Sequence, residues 1–383
     1  MFVDSPLVAH RKGHMRSTVR SSIAVPFAAS MLASVPAASA FDVGVHVFAP
    51  EMQLLAMSYD GSTVCGRYLN SYGFRASQDT QSTTDGLAAY NLRGGGFYSL
   101  NDDGSVVGGS FQDDGSWNRG VVDRGPGDYT LFGPRAQGII YTAAELSGDG
   151  QTVLLRRTSL STSGGGEWFV LSRSDGTAIP PTPPYSLAEA WATDLSRNGN
   201  VVVGSGYTLD QSVAFRYTIG VGLEVLQSPD GGSSISRPTC VSADGSIIAG
   251  NYTGGACFWT AAGVTPIPNH PDWERAGVYE MNDDATVLIG SLANGVWPNS
   301  TTVPAIWLAD GGWHVAQDYF ASFGILMPEG RTIEYLAEVS SDGRTFLGSF
   351  DNEQYFVVTV PTPGAVSLLT GTMFLASRRR RVS

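Results

Sequence analysis

The chain has 383 residues, 42% of them hydrophobic, with 47 glycines and only 15% charged side chains. That length can bury a large core, which excludes disorder throughout, and the glycine-rich, charge-poor balance favours short strands and tight turns over long salt-bridged helices. Residues 1–40 hold Arg11, Lys12, Arg16 and Arg20 against Asp4, and the last 23 residues hold four arginines and no acid, so the overall charge of −12 hides a body of 15 basic and 34 acidic residues, net −19, that repels phosphate backbones and argues against nucleic-acid binding.

In chain order, the first element is a basic stretch ending at Arg20, an apolar run from Ile23 to Val35 and a small-residue finish at Ala38-Ser39-Ala40. This is the pattern of a secretory signal peptide over residues 1–40, cut after Ala40 with Ala38 as the other small determinant, because so short an apolar segment enters the export machinery without spanning a bilayer. The leader is long, and initiation at Met15 instead of Met1 would give a more ordinary signal. Residues 41–48 (FDVGVHVF) then alternate as a strand.

From there one pattern recurs seven times: apolar, Ser or Asn, any residue, Asp or Asn, Gly or Ala, then an apolar position and, in six copies, a glycine. The turn pairs are Asp60-Gly61, Asp103-Gly104, Asp149-Gly150, Asn198-Gly199, Asp244-Gly245, Asp284-Ala285 and Asp342-Gly343, spaced by 43, 46, 49, 46, 40 and 58 residues. Each pair is expected to form a type I′ turn between two strands, closed by the Ser or Asn two residues earlier. A third strand follows, marked by Trp168-Phe-Val, Ala214-Phe-Arg-Tyr, Cys257-Phe-Trp, Ala305-Ile-Trp or Tyr355-Phe-Val-Val, and a fourth fits Leu223–Leu226 and Val264–Ile267. Four short strands per unit make a blade. The expected fold is therefore all-β, a seven-bladed β-propeller over residues 41–360, in which the strand at 41–48 completes the last blade so that no sheet edge stays open. The long interval before the seventh copy has apolar residues at 315, 316, 319, 320 and 323, which predicts one short helix near 314–324 ended by Gly324.

The repeats, read over Leu195–Tyr217 and Val241–Thr260 and covering roughly residues 50–358, resemble the HAF family of extracellular repeats. The resemblance implies a propeller-like fold on exported proteins and brings no catalytic residues with it. The final element, residues 361–383, runs Pro361-Thr362-Pro363-Gly364, an apolar stretch from Ala365 to Ala376, then Arg378, Arg379, Arg380 and Arg381. Arginines after an apolar run stay on the cytoplasmic side. This tail resembles the PEP-CTERM sorting signal of exported bacterial proteins, with Thr362 where that family has glutamate. The resemblance implies an exosortase-like processing enzyme as partner, transient membrane contact through the segment, and delivery to the cell surface or extracellular matrix. The alternative is a short tail anchor that is never cut.

Chemistry is harder to read. Cys65, Cys240 and Cys257 are too few for a disulfide framework and are expected as small buried side chains. His46, His270 and His314 are isolated, with no metal-ligand or catalytic spacing. Glu167, Glu189, Glu224, Glu274, Glu280, Glu334 and Glu338 are candidates for a carboxylate pair across a channel, but spacing cannot choose between them. Asp102-Asp103, Asp113-Asp114 and Asp283-Asp284 place adjacent carboxylates in loops, where calcium would bind if the first of each pair were not simply solvated. Trp117, Tyr185 and Trp297 are loop aromatics able to stack on sugar rings. No catalytic, cofactor-binding or metal-ligand residue is assigned. The expected function is a non-enzymatic binding or structural role through the propeller loops, toward a polysaccharide or a surface protein. The rival is a secreted polysaccharide hydrolase or lyase on the same scaffold.

Overall fold

The computed structural model describes residues 43–361, apart from 69–71, 78–92, 114–116, 126–127, 134–138, 160–166, 180–188, 208–211, 232–235 and 296–299. Seven antiparallel sheets follow one another along the chain, and the first strands of successive sheets lie against each other all the way round, Met52–Met57 of the first against Ile333–Val339 of the last. The molecule is a seven-bladed β-propeller of four-stranded blades. Five sheets show four strands; the first and third show three among the described residues, and a bridge between Ser172 and Ala178 marks the outer position of the third.

Closure is made by the N-terminal strand. Gly44–Val47 pairs antiparallel with Tyr355–Thr359, from Gly44 opposite Thr359 to Val47 opposite Phe356, and so forms the outermost strand of the seventh blade. The Phe48 amide donates to the Tyr355 carbonyl at 3.0 Å and the Gln354 side chain donates to the Phe48 carbonyl at 2.8 Å. Val45 packs on the blade-seven core, where Phe350 and Phe356 stack at 4.4 Å. The expected helix is present as Ala316–Ser322, burying Ala316 and Phe320, with Gly324 in the left-handed region at φ +76° just beyond it.

The hairpin corners differ from the expected type I′ turn. Only the last residue of each pair has positive φ, between +56° at Ala285 and +78° at Gly245, while the preceding Asp or Asn does not. In the first blade the Gly61 amide donates to the Ser58 carbonyl at 2.8 Å, so Ser58–Gly61 is an i to i+3 turn followed by a left-handed corner, and the ladder closes outside it through Ser58 and Thr63. The longer loop relieves Asp of the left-handed conformation that a two-residue connection would demand. Its carboxylate instead accepts the amide two residues on, Ser62 for Asp60 at 2.9 Å, and the Ser58 hydroxyl donates to that carboxylate while accepting the Thr63 amide. The two bonds donated by backbone amides recur in every copy, from Asn101 and Asp103 to Ser340 and Asp342.

The corner glycine has a second cause. A Cβ at Gly104 would lie 2.5 Å from Cβ of Thr63 in the preceding blade, and the same clash arises at Gly245 with Val201 and at Gly343 with Val287. The residue two places after each corner, Thr63, Val106, Thr152, Val201, Ile247, Val287 and Thr345, is β-branched in all seven blades, and six of the corners press on their neighbour's member of this column. Local turn geometry and blade-to-blade packing therefore ask for the same residue.

Candidate functional site

The unspecified third residue of the repeat turns out to line the axis. It is Tyr59, Asp102, Gly148, Arg197, Ala243, Asp283 and Ser341 in successive blades, and hydrogen bonds run from turn to turn around the ring: Asp60 N–H to Asp102 O, Asp102 N–H to Gly148 O, Gly148 N–H to Arg197 O, Asn198 N–H to Ala243 O, Ala243 N–H to Asp283 O and Ser341 N–H to Tyr59 O, with the Asn282 side chain bridging to Ser341 O. Arg197 spans this mouth. Its Nε donates to Asp102 at 2.5 Å, its Nη1 pairs with Asp283, and its guanidinium lies 4.7 Å from the centre of the Tyr59 ring. Gly148 leaves the room for this, since a Cβ there would strike the Asp102 carboxylate and the Arg197 stem.

Behind the stopper lies a belt of acids. The position two residues before the motif Ser or Asn, on the innermost strand, reads Ala56, Ser99, Glu145, Asp194, Cys240, Glu280 and Glu338. Burial and the charge of Asp194 push Glu338 up to about 8, and burial pushes Asp194 up to about 7 against the pull of the Val241 and Leu195 amides. Glu145 and Glu280 are raised well above the carboxylate range by burial and then by Asp194 and Glu338. The Tyr59 phenol is raised by burial and then by the charges of Asp194, Glu145, Glu280 and Glu338. Asp194 accepts the Val241 amide of the next blade at 2.7 Å and its neighbour's amide at 2.6 Å, and Glu280 accepts the Met281 amide at 2.9 Å.

Of the seven glutamates suggested by the sequence, Glu280 and Glu338 reach this belt. Glu224 and Glu334 are exposed on strands, and the exposed Glu274 accepts the Gly295 amide. Glu167 and Glu189 begin strands, and their side chains lie outside the described residues. Glu145 and Asp194 were missed, although four acids in one column of an otherwise apolar repeat are a readable signal. The Asp pairs divide their work. Asp102 and Asp283 hold Arg197, Asp103 and Asp284 close turns, Asp113 ends a strand, and Asp114 lies outside the described residues. No cluster of three or more His, Cys, Asp or Glu placed to hold a metal occurs among the described residues. All three cysteines are free and buried.

A second concavity lies beside the helix. A groove of about 600 Å³ is walled by Trp273, Tyr319 and Phe323, with Asp272, Asp318, His270 and His314 among its polar groups. It brings together two histidines 44 positions apart, while His46 is on the closing strand opposite Val357. His270 Nδ1 accepts the Asp272 amide at 3.1 Å, so the proton of the neutral ring is on Nε2. His314 Nε2 is buried without a partner. Trp117 begins a strand with its side chain outside the described residues, where Tyr185 and Trp297 also lie. Ala38, Ala40, Thr362, Pro363, Gly364 and Arg378 to Arg381 are likewise outside them, and Pro361 is the last residue described. No helix among the described residues is long and apolar enough to cross a membrane.

No protein-family model matches the chain, and no curated protein matches it. Among solved structures it is similar to the β-propeller domain of Cps50 (Swd1) from Myceliophteria thermophila, at 10% identity and a TM-score of 0.45 over 83% of this chain and 100% of that one. It is also similar to the Dos1 propeller, at 10% identity and 0.43 over 80% and 78%, and to a chain of the mitotic checkpoint complex, at 14% identity and 0.46 over 91% and 99%. These likenesses concern the fold; the seven blades and their closure rest on the strand pairing itself.

Proposed function

We propose that this protein is an exported, non-enzymatic binding propeller of the bacterial cell surface or matrix, which takes a polysaccharide or surface partner on its rim. The observation that carries this reading is the Arg197 stopper: the mouth ringed by the hairpin turns is spanned by Arg197, held between Asp102 and Asp283 and resting on Tyr59. The stopper is ionic, and it stands across access from that mouth. Ligands of such a scaffold meet its loops and outer grooves instead. The HAF-like repeats, the signal-like residues 1–40 with cleavage after Ala40, and the PEP-CTERM-like tail support export, with an exosortase-like enzyme and the export machinery as processing partners and only transient membrane contact.

The hydrolase or lyase reading has one observation in its favour. Carboxyl groups with raised proton affinity, as at Glu338 and Asp194, have the property a general acid needs. The amides held by Asp194 and Glu280 speak for a structural role. A glycan array run alongside a product-release assay on the purified protein separates the two: glycan binding without products supports the binding propeller, and released oligosaccharides overturn it.

A further inference from the structure

We infer that the groove between the helix Ala316–Ser322 and the turn at His270–Trp273 is a binding site for a neutral, hydroxyl-rich saccharide. This rests on the binding reading above and places it at one site with one ligand class. The groove belongs to a single blade, because it is walled by the helix that follows blade six and by the turn that leads into that blade. Its volume of about 600 Å³ suits a short glycan segment.

The ligand class follows from what the wall offers. Trp273 and Tyr319 are only partly buried and supply flat apolar faces, the surfaces on which the C–H face of a pyranose packs. Asp272 and Asp318 are exposed and offer acceptors only. His270 offers a donor, since its Nδ1 is occupied by the Asp272 amide. An anionic ligand would meet two carboxylates and no Lys or Arg in the lining. A quaternary ammonium would suit the aromatic faces and the carboxylates but would leave the His270 donor facing positive charge. Hydroxyl groups, which both donate and accept, satisfy acceptors and donor together.

The test is a calorimetric and tryptophan-fluorescence titration of the full protein with hexaoses of glucose, mannose and xylose, polygalacturonate as the anionic probe and choline as the cationic one. A neutral hexaose is expected to bind, with affinity reduced at least tenfold by Trp273→Ala. Because Trp273 also contacts the core, the exposed pair Asp272→Ala and Asp318→Ala is the second variant, expected to keep the wild-type melting temperature and lose at least tenfold. Hexaose binding that survives the Asp pair unchanged overturns the site while leaving the binding reading intact. Choline or polygalacturonate binding in place of a neutral hexaose overturns the ligand class. Absence of glycan binding both here and on a broad array overturns the inference together with polysaccharide as the ligand.

Discussion

Glu338→Gln is the perturbation that reports most directly on the central channel. Folding raises the Glu338 carboxyl from 4.5 to about 8, three to four units, each about 1.4 kcal/mol. The native state thus holds a proton that the unfolded chain sheds from about pH 4 upward. Stability is free of this cost below pH 4, falls as pH rises toward 8 and then levels off, with a loss on the order of 5 kcal/mol from this group. Glutamine keeps the shape and cannot ionise. The variant should therefore gain on the order of 4 kcal/mol over wild type at pH 9, after about 1 kcal/mol for its imperfectly satisfied amide, and gain nothing at pH 5. The assay is urea unfolding of both proteins at the two pH values. The difference between the two differences removes the general repulsion of an acidic body, which both share. Stability curves that stay parallel from pH 5 to pH 9 would refute a charged, desolvated Glu338.

Other expectations follow from the ring. Deleting residues 41–48 removes the outer strand of blade seven and should cost roughly 3 kcal/mol or more, a fall in melting temperature of about 5 °C or more at an unfolding entropy of about 2.1 cal/mol/K per residue; an unchanged melt would contradict closure by Gly44–Val47. Gly104→Ala combines a left-handed corner with a clash on Thr63 and should cost about 2–3 kcal/mol, whereas Ala285→Gly relieves the one non-glycine corner and should gain about 1 kcal/mol; equal and small effects at both positions would show that the corners do not bear on neighbouring blades. Arg197→Met leaves Asp102 and Asp283 without their shared cation and, since these groups are partly exposed, should cost about 1–2 kcal/mol, with part of the loss restored by adding Asp283→Asn. Because Asp102 and Asp283 are committed to Arg197, melts with calcium and with chelator should superpose; a shift of several degrees would revive a structural calcium.

What could be read along the chain was whatever a few consecutive residues enforce by themselves. The seven corners, the serine or asparagine that closes each one, the helix ended by Gly324 and the strand that closes the ring are local patterns of backbone conformation and hydrogen bonding. Their turn type was misread because two loop lengths share the same Asp-Gly pair, and only the ladder register, closing at Ser58 and Thr63, distinguishes them. The β-branched column after each corner was visible in the sequence, but its meaning lies in the neighbouring blade. The channel and the groove were decided by tertiary structure alone. Arg197 meets partners 95 and 86 positions away, Glu145 and Glu338 lie 193 positions apart in the third and seventh blades, and His270 joins His314 across a blade. Such groups meet because ring closure carries the innermost strands to one axis, where a register shift in each innermost strand falls just before the acid column, as between Ala192 and Asp194, Val278 and Glu280, and Leu336 and Glu338. Neither property is encoded in the spacing of the residues concerned.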